Sequence, residues 1–213
     1  MMARCKYLLS GWPLASVAML GILASAARVC RADDAADARQ TAKDFVQAVA
    51  RGDNAGAKSY LTQEAAAGQA GRFVDALVGM LSGRDRFDQA STAKFGEQAH
   101  LRKVDPTGQM IKQLEKADAN VNGDTVTLSH PNDPNPIKLQ KISGTWKIIE
   151  VGAAKELQRT TPLLEAMAKA EDETAREISD GKYQSFDQAR QALNDKMQAL
   201  APTTAPGNPG GAH

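Results

Sequence analysis

The sequence predicts an α+β fold, in which N-terminal helices pack on a curved antiparallel sheet and a C-terminal helical extension follows. Apolar residues recur at helical spacing before about residue 82, alternate between about residues 94 and 151, and return to helical spacing from residue 153. The predicted divisions are a leader over residues 1–32, an α+β domain over 33–152, a helical extension over 153–200 and a Pro/Gly-rich disordered tail over 201–213.

The leader has the layout of a secretory signal peptide. Arg4 and Lys6 precede an uncharged, mostly apolar stretch over residues 7–27, and small residues follow it. Cleavage is predicted after Ala32, where an acidic segment begins, with a second small-x-small position after Ala26. We therefore expect an exported protein, periplasmic or secreted. The alternative is an uncleaved membrane anchor, because about 20 uncharged residues can span a bilayer.

Cysteine content and charge exclude several classes of function. Both cysteines, Cys5 and Cys30, lie in the leader, so the mature chain has no disulfide, thiol nucleophile or cysteine metal site. The leader also holds four basic residues and no acidic one. Taking these from the 26 basic residues of the chain leaves 22 against 25 acidic residues, a net charge of −3. This balance argues against a nucleic-acid-binding protein, which usually has a basic excess.

Three helices are predicted before the sheet. The first covers residues 35–51 and ends at Gly52, which suits the left-handed position after a helix. A short second helix is predicted over residues 55–67 and a third over 72–82. The apolar stripe of the first helix consists of Ala42, Phe45, Val46 and Val49.

Four or five strands joined by short turns predict an antiparallel meander. The first strand is predicted over residues 94–105, followed by a turn at 106–108. Asn122-Gly123 predicts a hairpin with a type I′ turn, and Ser143-Gly144 predicts the last turn. In the last strand, alternation places Trp146, Ile148 and Glu150 on one face and Lys147, Ile149 and Val151 on the other.

Helical spacing resumes after the sheet. Pro162 is predicted to begin a new helix capped by Thr161. Asp180-Gly181 is predicted to end this helix, and a last helix capped by Ser185 follows. These helices are expected to cover the sheet face that carries Ile149 and Val151. The charged run over 169–177 predicts a solvated face with the pairs Lys169–Glu173 and Asp172–Arg176.

Two segments carry a family resemblance. AKDFVQAVARGDNAGAKSYL, residues 42–61, and ISGTWKIIEV, residues 142–151, resemble the nuclear-transport-factor-two-like superfamily, also called the SnoaL-like or cystatin-like cone fold. The resemblance covers residues 38–151 and concerns the fold, since no catalytic motif is included. It implies that the sheet curls around the first helix, that Trp146 fills the gap between them, and that the exposed sheet face is a surface for dimers.

The resemblance also suggests where a site would lie. Enzymes of the superfamily place Asp, His or Tyr inside the cone, so Tyr60, His100 and Trp146 are cavity candidates, and His130 and Asp105 are further residues of suitable type. The sequence has no diagnostic His–Asp spacing, metal-ligand cluster or nucleotide-binding motif, so we expect no catalytic residue, metal or cofactor.

The sequence alone favours an exported, non-catalytic protein with a cone-fold scaffold or binding domain. Its partner would be another protein or a second copy, held through the sheet or the C-terminal helices. The alternative is a small-molecule-binding protein, or an isomerase- or dehydratase-like enzyme, with a small apolar ligand in the cone cavity. Whether the chain is an enzyme stays open, nucleic acid is not expected as a partner, and membrane association is expected only if the leader is retained.

Overall fold

A computed structural model describes residues 19–101, 106–131 and 135–200. These residues form seven helices and a four-stranded antiparallel open sheet, so the α+β class is confirmed. The helices are α1 Met19–Ala50, α2 Asn54–Ser59, α3 Gln63–Ala67, α4 Gln69–Phe95, α5 Pro106–Lys116, α6 Ala154–Ser179 and α7 Phe186–Leu200. The strands are β1 Asp118–Asn122, β2 Thr125–Ser129, β3 Ile137–Ile142 and β4 Thr145–Val151.

The first helix is confirmed and is longer than predicted. The stripe of Ala42, Phe45, Val46 and Val49 is buried in the main core, and Gly52 ends the helix region with a φ of 71°. Across the described part of the chain, no helix combines the length and apolarity needed to cross a bilayer. The start of the predicted leader, residues 1–18, and the tail over 201–213 lie outside the described residues.

The second predicted helix is two helices, because a tertiary contact interrupts it. Leu61 forms a parallel bridge with Ile148 of β4. The Ile148 N–H donates to the Tyr60 carbonyl at 2.8 Å, and the Thr62 N–H donates to the Ile148 carbonyl at 2.9 Å. Backbone groups that would have continued a helix therefore bond to the sheet.

The strand predicted over residues 94–105 is wrong within the described residues. The helix α4 continues to Phe95 and ends at Gly96, and the Leu101 N–H then donates to Asp88 at 2.7 Å. The turn predicted at 106–108 is the start of α5. Arg39 of α1 donates to the carbonyls of Leu114 and Ala117, both at 3.0 Å, and so bonds carbonyls that the end of α5 leaves without helical partners.

The sheet has the simple order β1-β2-β3-β4 and packs one face against α1. Val121, Val126, Leu139 and Ile148 form a cross-strand row on that face. The first hairpin is confirmed, but its turn is not of the predicted type I′. In the loop at 123–124 only Gly123 has a positive φ, 59°, which is typical of type II′. Type I′ is found instead in the last turn, where both residues at 143–144 have a positive φ, of 51° and 81°.

A β-bulge corrects the predicted faces of β4. Leu139 pairs with Ile148 but Lys138 pairs with Glu150, so Ile149 is an extra residue without a partner in β3. After the bulge, each side chain of β4 lies on the sheet face opposite to the one predicted. Val151 therefore packs against the main core on the same side as Trp146, and Glu150 bonds Lys138 at 2.6 Å.

The C-terminal helices pack mainly on α4 and on each other, and not on the sheet face as predicted. The helix α6 is continuous through Pro162, and Thr161 is a buried interior residue that donates to the Leu157 carbonyl at 2.7 Å, so the predicted break is wrong. The second half of α4, the second half of α6 and α7 form a second core. Its buried members are Phe87, Ala170, Ala175, Ile178, Tyr183, Ala189 and Leu193.

The charged run over 169–177 is only partly a solvated face. Lys169 and Glu173 lie 3.7 Å apart, as predicted. Asp172 makes a two-point ion pair with Arg86 of α4, at 2.7 and 3.0 Å, rather than the predicted pair with Arg176. Glu171 lies between α4 and α6 and is buried. By contrast, the break at Gly181, with a φ of 83°, and the Ser185 cap of α7 are confirmed.

Candidate functional site

A cavity of about 410 Å³ lies beside the main core. Its walls come from α1, α4, α5, the core face of the sheet and the first turns of α6. Small-molecule sites in proteins usually occupy about 300–1,000 Å³, so this cavity is large enough for a small ligand.

Most of the cavity wall is apolar, and it is built from helix stripes and one sheet face. Phe45 and Val49 lie one turn apart on α1, and Phe73, Leu77 and Leu81 lie at successive turns on α4. The sheet adds Leu128, Ile137 and Val151, which are neighbours across three strands. The other apolar side chains in the wall are Val46, Ala50, Met80, Met110, Leu114, Ala117 and Leu157.

Polar residues gather where strand ends meet the start of α6. The pairs Leu128–Ile137 and Ile137–Val151 place the end of β2, the start of β3 and the end of β4 at the same edge of the sheet. His130 lies two residues after Leu128. The polar lining residues near this edge are Ser129, His130, Asn135, Glu156 and Thr160.

Asn135 fastens the turn that joins β4 to α6. Its Oδ1 atom accepts a hydrogen bond from the Ala153 N–H at 3.4 Å. Gly152 has a φ of 74°, and a β-carbon there would lie 3.2 Å from the Asn135 β-carbon. Close packing of this turn against Asn135 therefore requires glycine, and it holds the first turn of α6 at the cavity.

The described wall carries little charge. It contains no Lys or Arg, and its one carboxylate is that of Glu156, which accepts from Arg159 at 2.9 Å. In the part of the chain that the structure describes, no three His, Cys, Asp or Glu side chains form a group able to hold a metal ion. Thr107 and Gln113 of α5 are the remaining polar lining residues. The cavity can thus enclose apolar surface and offer hydrogen bonds, chiefly where the strand ends meet α6.

None of the three predicted cavity residues lines this cavity. Tyr60 packs half-buried against the main core, and His100 is exposed with Nδ1 3.0 Å from the Glu97 carbonyl oxygen. Trp146 is only 4% exposed, and the Lys141 ammonium lies 5.5 Å from its ring centroid. Of the two further residues of suitable type, His130 lines the cavity and Asp105 lies outside the described residues.

Sequence reasoning missed the lining residues because their pattern is that of a core. Phe45, Val49, Leu77 and Leu81 belong to apolar stripes that the sequence predicts, and a stripe looks the same whether it meets another side chain or an empty space. Met110 and Leu114 were missed because α5 was not predicted as a helix.

The two carboxyl groups with the largest pKa shifts among the described residues, Glu171 and Glu177, lie on α6 and do not line the cavity. Burial raises the pKa of Glu171 to about 7, against the opposing effect of Arg84. Its Oε2 atom is buried without a hydrogen-bond partner among the described residues. Hydrogen bonds from Lys182 and then Tyr183 and Lys196 lower the pKa of Glu177 to about 2. Glu177 thereby links α6 to α7. Glu171, in contrast, is a buried carboxyl group between α4 and α6 whose charged form burial disfavours.

Comparisons with protein-family models, with curated proteins and with solved structures found no match to this chain. The cavity and its chemistry are therefore the basis for a functional proposal.

Proposed function

We propose that this chain is an exported, non-catalytic binding protein that holds a small apolar ligand in the cavity between α1, α4, α5 and the sheet. The observation that carries the proposal is the cavity itself, which has a volume of about 410 Å³, mostly apolar walls and a few polar side chains. This combination is typical of sites that bind small molecules and orient them with a few hydrogen bonds.

Two features support placing the domain among the cone-fold proteins of the nuclear-transport-factor-two-like superfamily. The helix α1 lies against the core face of the antiparallel sheet, and Trp146 of the Gly-x-Trp strand is buried in the same core. Export rests on the basic, then apolar, then small-residue order of the leader.

A second candidate is an isomerase- or dehydratase-like enzyme. It is favoured by one observation, that His130 and Glu156 line the same cavity and could share general acid and base roles. This hypothesis predicts that His130→Ala abolishes turnover of a bound substrate. A non-catalytic binding protein would show no turnover in the wild type or in the variant.

The test is a fluorescence titration of the full chain with N-phenylnaphthylamine, an apolar probe that brightens in dry sites. We expect saturable binding that Leu81→Trp weakens about tenfold or more, because the larger ring occupies the cavity. Leu163→Trp is the matched control, since Leu163 is 43% exposed on α6 and does not line the cavity. A folded protein without saturable binding, or equal loss in both variants, would contradict the proposal.

A further inference from the structure

We propose that the cavity selects an uncharged amphiphile, with one apolar chain and one neutral hydrogen-bonding head such as an alcohol, ester or amide. This inference rests on the proposed binding function and specifies its ligand class. The geometry points to it through the placement of the polar lining residues and through their lack of positive charge.

Five of the seven polar lining residues lie where the strand ends meet α6, and the other two, Thr107 and Gln113, come from α5. The larger polar group gives a bound amphiphile a preferred direction. Phe45, Leu77 and Leu81 belong to the walls that α1 and α4 provide, and these walls suit a hydrocarbon chain. His130 and Thr160 belong to the end formed by β2 and the first turns of α6. A ligand with its chain among the apolar side chains therefore presents its head to His130 and Thr160.

An anionic head would find no cationic side chain in the described lining at this end. That lining has no Lys or Arg, and the guanidinium of Arg159 is 80% exposed and already paired with Glu156 at 2.9 Å. Moving a carboxylate or phosphate from water to such a site is costly unless a cation pairs with it. Fatty acids and phospholipids are therefore disfavoured relative to neutral compounds of the same chain length.

A cationic head also lacks an available partner in the described wall. The carboxylate of Glu156 already accepts from Arg159 at 2.9 Å, and the Glu156 side chain is 41% exposed. A ligand ammonium would have to displace the guanidinium or lie beside it. Solvent screening leaves little gain from an exposed pair of this kind.

A neutral head matches the groups that are present. The His130 ring and the Thr160 hydroxyl at this end are both hydrogen-bonding groups that can pair with a neutral head. His130 comes directly after the end of β2, two residues beyond Leu128, and both residues line the cavity. An alcohol or amide can therefore bond at this end without burying a charge.

The experiment is displacement of N-phenylnaphthylamine from the full-length chain by decanol, decanoate and decylamine at a pH of about 8. The three compounds share chain length and differ in head charge. We expect decanol to displace the probe at a concentration about tenfold or more below the other two. His130→Ala should weaken decanol about fivefold or more beyond any change in the affinity for the apolar probe, which is measured in the same variant. His100→Ala is the control, since His100 is exposed and does not line the cavity.

The outcomes separate the two proposals. Saturable probe binding with decanoate or decylamine equal to or better than decanol would overturn the neutral-head inference and leave the binding function standing. An unchanged decanol affinity in His130→Ala would likewise overturn the placement of the head. Absence of saturable probe binding in the folded protein would overturn the binding function itself.

Discussion

Glu171 is the residue whose environment conflicts most with its charge. It is 5% exposed between α4 and α6, near Arg84, Arg86, Asp88 and Asp172. Burial raises its pKa from the ordinary value of 4.5 to about 7. Because the folded state holds this proton more tightly than the unfolded state, the stabilisation is complete below about pH 4.5 and is lost as the pH rises through about 7.

We therefore expect Glu171→Gln to stabilise the protein by about 1–3 kcal/mol at a pH of about 8, because it removes a buried charge and keeps the shape. Urea denaturation followed by circular dichroism, repeated between about pH 5 and 8, measures this. The wild type should lose stability across the range more steeply than the variant. If stability depended on pH in the same way in the two proteins, Glu171 would not titrate between about pH 5 and 8.

Glu177 has the opposite behaviour. Its carboxylate accepts from Lys182 at 2.5 Å, from Lys196 at 3.0 Å and from the Tyr183 hydroxyl. The hydrogen bond from Lys182 is the largest cause that lowers its pKa to about 2. A depressed pKa means that the stabilisation is present above about pH 4.5 and is lost as the pH falls toward 2.

Glu177→Gln should destabilise the protein by about 1–2 kcal/mol at neutral pH, since it weakens charge-assisted bonds that join α6 to α7. The same denaturation measurement, extended to a pH of about 3, should show the difference from wild type shrinking, because below about pH 4.5 the unfolded state takes up a proton at Glu177 that the folded state does not. Asp187→Asn is the control, because the Asp187 side chain is 81% exposed at the start of α7 and its ion pair among the described residues is with Arg190 of the same helix. It should change stability by less than about 0.5 kcal/mol.

At the scale of elements, the crossing of α4 and α6 depends on a glycine. A β-carbon at Gly83 would lie 3.1 Å from the Ala168 carbonyl oxygen and 3.3 Å from the Glu171 β-carbon, whereas at Gly79 the nearest atom is the Ala168 β-carbon at 3.9 Å. Both glycines lie inside α4, where alanine is otherwise favoured by about 1 kcal/mol.

Alanine substitutions at these two glycines should therefore change the free energy of unfolding in opposite directions. Gly79→Ala is expected to stabilise the protein slightly, and Gly83→Ala to destabilise it, because backbone atoms of α6 cannot move aside without separating the helices. Thermal unfolding of the pair measures the difference, which we expect to be at least about 1 kcal/mol. Equal gains in both variants would show that the helices are not in close contact at Gly83.

Elements are predictable from the sequence where one local signal decides them. The stripe of α1, the hairpin at Gly123 and the break at Gly181 were predicted because spacing and glycine act within a few residues. The split between α2 and α3 was not predicted, because it depends on a bridge between Leu61 and Ile148, which lies far along the chain. The bulge at Ile149 was missed for a similar reason, since it depends on pairing with β3.

At the scale of the molecule, two cores share the long helix α4. The main core lies between the sheet and α1, with the first half of α4, and the second core lies between the second halves of α4 and α6 and α7. The cavity opens beside the main core, where α5 and the first turns of α6 complete the wall. A sequence pattern specifies which residues turn inward, and only the assembled helices determine whether they enclose a space.

The most direct test of the binding account is an amide chemical-shift titration of the protein by NMR with decanol. The account predicts saturable shifts at Leu77, Leu128 and Leu157 around the cavity, with little change at Tyr183 and Leu193 in the second core. Shifts centred on the second core, or no saturable shifts in a well-folded protein, would contradict it.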